Sequence, residues 1–318
     1  MAWYVLRRVG QAAVVLWAAY TATFVILHVL PSDPVALQLA ANNVEIDSLT
    51  PEQREVAEAR LGLDRPVWQQ YLGMLAGVLR CDFGTSYAKQ VPVAQLLGER
   101  LPATATLSGV AVLIALVAGV GLALLAVRVP RGPLAALLRR LPAVGVSVPN
   151  FWIGLLLIQV FAFTLGWLPA MGSIGPQSYV LPAITMAVPT SAVLAQVLIR
   201  SLDDTLGEPY IATARAKGLS RGAVQLRHAF RNAALPTLTI LGLLVGATVT
   251  GSIVVETVFS RQGLGRLAQE SVLAQDVPVV QAIVVLAASA FVLVNLVVDL
   301  LYPLLDPRIA RTPRVSRA

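Results

Sequence analysis

Long apolar runs separated by polar stretches set the plan of this chain. Five runs carry no Asp, Glu, Lys or Arg: residues 9–32, 101–127, 141–199, 232–255 and 277–298, of 24, 27, 59, 24 and 22 residues. A helix needs about 20 apolar residues to cross a bilayer. Four of the runs therefore hold one span each, and the 59-residue run holds two. Residues 166–178, with their Gly, Pro and Ser, are the natural turn inside it. The pattern predicts six spans, near 9–30, 104–127, 143–165, 179–199, 235–255 and 279–301. Strands of a membrane barrel are about 10 residues long and alternate apolar with polar. These runs do not alternate, so the predicted class is an all-α integral membrane protein.

Two polar stretches carry helical patterns of their own. In the long segment 31–100, Thr50 and Pro51 start a helix over 51–60 with Glu52 and Glu55 in its first turn. Trp68, Tyr71, Leu72, Leu75 and Leu79 recur at three- and four-residue spacing, which predicts a second helix over 67–79, resting on the membrane or on the chain's own spans. Residues 208–236 read EPYIATARAKGLSRGAVQLRHAFRNAALP. Glu208 and Pro209 open a helix over 209–217, and Gly218 closes it with a left-handed cap. Ser220 caps a second helix, in which Ala223, Leu226, Phe230 and Ala233 form the buried stripe. The small residues Ala212, Ala214 and Ala216 leave room for a partner to approach the first helix. A connector between spans needs no such order. The residues alone support two readings: a docking element for a soluble partner, or an interfacial helix held on anionic lipid by Arg215, Lys217, Arg221, Arg227 and Arg231.

Composition and charge agree with the membrane reading. The chain is 57% hydrophobic and 13% charged, about half the charge of an ordinary soluble domain. Its net charge of +7 does not signal nucleic acid. Sixteen of its 24 Lys and Arg residues (7, 8, 128, 131, 139, 140, 200, 215, 217, 221, 227, 231, 308, 311, 314 and 317) fall on one side of the six-span plan. The opposite short loops hold none (166–178) or Arg261 and Arg266. Positive residues stay inside, which puts both termini in the cytoplasm. Arg7-Arg8 before an apolar run is reminiscent of a signal peptide, but the run exceeds about 15 residues and ends at Leu30-Pro31 without a small-x-small site. An uncleaved first span is expected, as is a disordered basic tail over 309–318. Cys81 is the sole cysteine, so there is neither an internal disulfide nor a cysteine metal pattern.

Glycines at 109, 119, 121, 145, 242, 246 and 251 predict close helix packing. Pro149 and Pro189 fit packing and moving bends equally well. Asn150, Gln159, Gln196 and Glu256 are the polar candidates for a translocation pathway; the alternative is bonding to neighbouring helices for the first three and a place at the interface, bonded to backbone, for Glu256. Ionisable residues sit at span ends (His28, Glu256, Asp299), which weighs against an ion-coupled carrier though not against a simple pore or channel. The two histidines, His28 and His228, fall on opposite sides, so no acid–base or metal site assembles and an enzyme is not expected.

The segment 208–236 resembles the cytoplasmic loop of ABC-transporter permeases known by its Glu-Ala-Ala triplet and downstream Gly. Here Ala212-Thr213-Ala214 stands for the triplet, Gly218 for the Gly, and Leu235-Pro236 for the closing Leu-Pro. The segments LGLDRPVWQQYLGML (61–75), CDFGTSY (81–87), ERLPATATL (99–107), SVPNFWIGLLL (147–157), LGWLPA (165–170), VVETVFSRQGLGRL (254–267) and VNLVVDLLYPLLDPRI (294–309) are similar to the B-type subunit of the dipeptide/oligopeptide permease family. The resemblance covers nearly the whole chain. It implies a single six-helix permease domain over 1–318 in a bacterial plasma membrane, paired with a second permease and two cytoplasmic ATPase subunits or domains. It also implies a substrate-binding protein outside the cell that delivers the solute. The resemblance further implies alternating access and uptake of di- or oligopeptides, with nickel chelates, glutathione or haem as alternatives. Residues implied to face the ATPase are Glu208, Tyr210, Ala212, Thr213, Ala214, Arg215, Lys217, Gly218, Arg221, Arg227 and His228. The chain has no Gly-x-x-x-x-Gly-Lys-Ser/Thr loop, and its only lysines are Lys89 and Lys217. ATP and Mg are therefore expected on the partner ATPases, with no cofactor in this chain.

Overall fold

The computed structural model describes residues 2–29, 35, 50–61, 64–130 and 132–305. The expected tail over 309–318, most of 31–49, Arg131, and the side chains of Arg7, His28 and Asp299 lie outside the described residues. Along the chain run α1 (Ala2–Val29), α2 (Pro51–Leu61), α3 (Val67–Leu79), α4 (Val93–Arg128), α5 (Pro133–Ser147), α6 (Asn150–Thr164), α7 (Val180–Leu206), α8 (Pro209–Ala216), α9 (Arg221–Val258), α10 (Leu264–Leu273) and α11 (Val277–Leu305). Among the described residues, five helical stretches are long and apolar enough to cross a membrane, and there are six if the bent pair α5–α6 is one span. The helical membrane architecture expected from the sequence holds, with five to six candidate spans.

The third span is not the straight helix over 143–165 that the pattern suggests. It begins at Pro133 and turns by 103° between α5 and α6. Val148 and Pro149 are both extended, with ψ of 126° and 139°. Proline disfavours helix in the residue before it and has no N–H to continue the ladder. Pro142 and Pro189 remain inside continuous helices. α6 ends in a π-helical stretch, Ile158–Thr164. The expected turn at 166–178 follows, with left-handed glycines at Gly166, Gly172 and Gly175.

The chain divides into two compact units. The first comprises residues 1–104 and 262–290. Its core joins Val93, Leu96 and Leu97 of α4 to Leu264 and Leu267 of α10 and to Val279, Ala282 and Ile283 of α11. The Thr104 hydroxyl accepts from the Leu264 N–H at 2.8 Å. Buried Asp276 accepts from the Ser86 hydroxyl and from the Tyr87 (3.0 Å) and Ala88 (3.3 Å) N–H groups, pinning the 84–93 turn to the start of α11. Burial, and then the Asp276 carboxylate, push the Tyr87 hydroxyl up to about 12. On α10, burial alone would raise Glu270. Hydrogen bonds from Arg266 and Lys89 outweigh that effect and hold the carboxyl below its ordinary value.

The second unit comprises 105–261 and 291–318. In it α4 and α7 approach so closely that a Cβ on Gly119 would lie 2.8 Å from the Ser191 carbonyl oxygen. A Cβ on Gly145 of α5 would likewise lie 2.8 Å from the Ala192 Cβ of α7. Small residues here let backbones touch, as expected, whereas Gly109 and Gly121 meet nothing within 4 Å. Leu107, Ala111, Ile158, Leu181, Ala183, Met186, Val255 and Phe259 form a core around α7. Arg261, read from sequence as a loop residue, is only 1% exposed. Its Nη1 donates to the Gly172 and Ser178 carbonyls (3.3 and 2.7 Å), and its guanidinium lies 4.0 Å from the centre of the Tyr179 ring.

Candidate functional site

α8 is a two-turn helix with both ends closed. Glu208 is extended at the entry, Pro209 occupies the first position, and the Ile211 N–H donates to the Glu208 carbonyl at 3.0 Å. At the exit, Lys217 N–H donates to Thr213 (3.1 Å) and Gly218 N–H to Arg215 (2.9 Å). Gly218 has φ +81°, the left-handed conformation expected of a C-terminal glycine.

Ile211 and Ala214, three residues apart, lie on one face of α8 and are buried. They enter a core made by Ala123 and Ala126 of α4, Leu198, Ile199 and Leu202 of α7, and Val224, Ala229 and Ala233 of α9. Burying an Ile side chain is worth about 1.5–3 kcal/mol, enough to hold a helix too short to persist alone. Ala214 therefore faces the chain's own core and not an open surface, contrary to the expectation from its size. Glu208, Tyr210, Ala212, Thr213, Arg215, Lys217 and Gly218 remain exposed on the other side.

Ser220 caps the next helix as expected, its hydroxyl accepting from the Ala223 N–H at 3.3 Å. The buried stripe differs from the predicted one. Val224, Gln225, Ala229 and Ala233 are buried, while Leu226 is exposed. Residues Val224–Ala229 are π-helical. A π turn carries an extra residue, so the inward face steps by five from Val224 to Ala229 before resuming the α spacing to Ala233. The helix then runs on through Pro236, so the loop and the fifth span are one element, Arg221–Val258. α7 likewise carries the fourth span past the expected end at 199 to Leu206, where Arg139 of α5 forms a two-point pair with Asp203.

Two bonds tie α8 and α9 into this unit. The Gln225 amide donates to the Leu124 carbonyl of α4 at 2.8 Å. Asn232 donates to the Tyr210 hydroxyl (2.8 Å), which donates to the His228 carbonyl (3.3 Å). Two sequence candidates, Tyr210 and His228, are thus joined, whereas Arg221 and Arg227 are exposed. Sequence reasoning missed Ile211, Gln225 and Asn232. Ile211 was legible as the large apolar residue among the small ones of α8, but Gln225 and Asn232 bond to residues remote in sequence and leave no local signal.

The pathway candidates are dispersed. Gln159 of α6 and Gln196 of α7 are exposed, and Asn150 is half-buried facing Gly251. Glu256 of α9 is 1% exposed.

Residues 97–311 match the family described as binding-protein-dependent transport system inner membrane component, and residues 1–108 match its N-terminal membrane component. The glutathione transport system permease protein GsiC of Escherichia coli K12 is 38% identical over 307 residues, covering 96% of this chain and 98% of that one. The GsiC protein of Shigella dysenteriae aligns equally well, at 38% over 307 residues and the same coverage of both chains. A chain of the inward-facing MetNI methionine ABC transporter is 15% identical, covers 69% of this chain and 97% of its own, and superposes with a TM-score of 0.50, a likeness of fold. By its full-length family matches and its membrane-helical fold, this chain belongs to the binding-protein-dependent transport system inner membrane components, the permeases of ABC importers.

Proposed function

We propose that the chain forms one half of the membrane gate of a peptide importer in a bacterial plasma membrane, with both termini in the cytoplasm. In this reading the whole of 1–318 acts as one permease domain beside a second permease. A substrate-binding protein delivers the solute outside, and two ATPase subunits or domains hydrolyse ATP with Mg inside. The solute is a short peptide. Similarity to glutathione permeases favours molecules of about that size, and glutathione is itself a tripeptide.

One observation carries the coupling role. α8 is anchored inward by Ile211 and Ala214, yet its other face, with Glu208, Ala212, Thr213, Arg215 and Lys217, is left open. A force on that face reaches α4, α7 and α9 through the core around Ile211. Arg221, Arg227 and His228 extend the same surface, and Tyr210 links it to α9. The π turn at the start of α9 lies where the push would enter a span. On this account ATPase closure tilts the spans and alternates access to a path that includes Asn150, Gln159, Gln196 and Glu256.

The test is uptake by the complete transporter in proteoliposomes, given its binding protein and radiolabelled dipeptides, tripeptides or glutathione. ATP-driven accumulation of at least one of these is expected. Transport confined to nickel chelate or haem would reject the peptide assignment while leaving the importer reading in place.

A further inference from the structure

We propose that α3 is a membrane-embedded anchor whose outer face is covered by lipid acyl chains, although the helix does not cross the bilayer. The inference rests on α1 being a membrane span. α3 is charge-free from Val67 to Leu79, while Asp64-Arg65 precede it and Arg80 and Asp82 follow it. Its inner face holds Tyr71, which packs on α1. The Tyr71 ring lies 5.3 Å from the rings of both Tyr20 and Phe24. The Tyr20 hydroxyl donates to the Tyr71 carbonyl at 2.9 Å, and the Tyr71 and Thr21 hydroxyls meet at 2.9 Å.

These contacts fix where α3 meets α1. Tyr20 and Phe24 both fall inside the charge-free run 9–32. α3 therefore packs on the apolar part of α1, as a helix lying in the membrane interface would.

The outer face of α3 is not built for water. Trp68, Leu72 and Leu79, at helical spacing, are 62%, 52% and 80% exposed. A surface helix in water turns polar residues outward, and α3 offers only Gln69 and Gln70, both in its first turn. The occupant must be apolar. The exposed residues of α1, among them Trp17, Val25 and Ile26, belong to a helix long and apolar enough to cross a membrane. The stripe on α3 continues that lipid-facing surface, so acyl chains are the occupant this geometry favours over a protein partner. Trp68, beside Asp64 and Arg65, sits where an aromatic belt residue marks the headgroup level. The anchor would hold the 82–93 turn and its Asp276 clamp close to the membrane.

The experiment uses the assembled transporter in liposomes, with Cys81→Ser as background. A nitroxide is placed singly at Trp68→Cys, Leu72→Cys and Leu79→Cys, with Ile26→Cys as the lipid-facing control and Glu58→Cys on α2 as the water-facing control. Collision rates with dissolved oxygen and with a water-soluble nickel chelate are compared. Oxygen collisions should exceed chelate collisions several-fold at Leu72 and Leu79, matching Ile26, with Trp68 intermediate. Chelate-dominated signals at Leu72 and Leu79 would overturn the proposal. Low collision rates with both probes would also overturn it, because they show a protein partner covering the face. If Ile26 itself proved water-accessible, the span assignment of α1 would fail first.

Discussion

Replacing Gly218 isolates the backbone geometry of α8 from everything else about the segment. The residue is at φ +81°, and a Cβ built on it meets nothing within 4 Å. A side chain therefore finds space, and the penalty is confined to the backbone. For an L-residue the left-handed conformation costs roughly 1–2 kcal/mol, with Asn the usual exception. If the conformation is kept, the Gly218–Arg215 and Lys217–Thr213 bonds that close α8 survive. If the chain relaxes to negative φ, those bonds open and Leu219, which packs on the core around Ile211, is drawn away. A cost of 1–2 kcal/mol shifts the balance between the two arrangements by about 5- to 30-fold. The prediction is graded: uptake should fall in the order Gly, Asn, Ala, Val. The assay is ATP hydrolysed per peptide accumulated, measured in proteoliposomes with the partner ATPases. The ratio should rise along the series while membrane insertion stays at the parent level and stability falls by no more than about 1–2 kcal/mol. Uptake by Gly218→Val at the parent level would refute the reasoning. So would an Asn variant as damaged as the Val variant, because side-chain bulk rather than backbone conformation would then be decisive.

Three further outcomes follow from the geometry. Ile211→Ala removes the buried anchor of α8 and should lower stability by about 2–5 kcal/mol in detergent unfolding, whereas Thr213→Ala on the exposed face should change it by less than about 0.5 kcal/mol; equal effects would contradict the two-faced reading. Tyr210→Phe breaks the link to Asn232 and His228 and should cost about 0.5–1.5 kcal/mol, detectable as faster amide exchange across 209–216. Glu270 has a folded-state pKa below its unfolded value. Its contribution to stability is therefore present above the ordinary carboxylate pKa and is lost as pH falls through the lower folded value. Glu270 is 39% exposed, so the effect should stay below about 1 kcal/mol. Glu270→Gln should flatten this acid-side decline in melting temperature, and an unchanged pH profile would exclude it.

The spans were legible because a bilayer imposes a length and a composition that few other environments demand. The turn at 166–178, the helix over 67–79, the Ser220 cap and the Gly218 terminus were legible because each is a local decision of the backbone. What escaped was non-local. Pro142, Pro149 and Pro189 look alike in sequence, yet only Pro149 breaks its span. The π turn at Val224–Ala229 has no residue signature and moves the buried stripe by one position. Ala214 looked like contact surface because it is small, but smallness equally suits a tight seat against Ala123 and Ala126. Arg261 read as a loop charge because its partners, Ser178 and Tyr179, lie more than 80 residues away.

The central claim is that the exposed face of α8 is the seat of a separate motor. It is tested most directly by cross-linking from that face in the assembled transporter. Thr213→Cys in a Cys81→Ser background is labelled with a short photoreactive maleimide, and the adducts are identified by mass spectrometry. The account predicts a covalent adduct with the ATPase subunit from Thr213 and none from the same label at Glu58→Cys. An intact, transport-competent complex in which Thr213 captures only lipid or the second permease would contradict it.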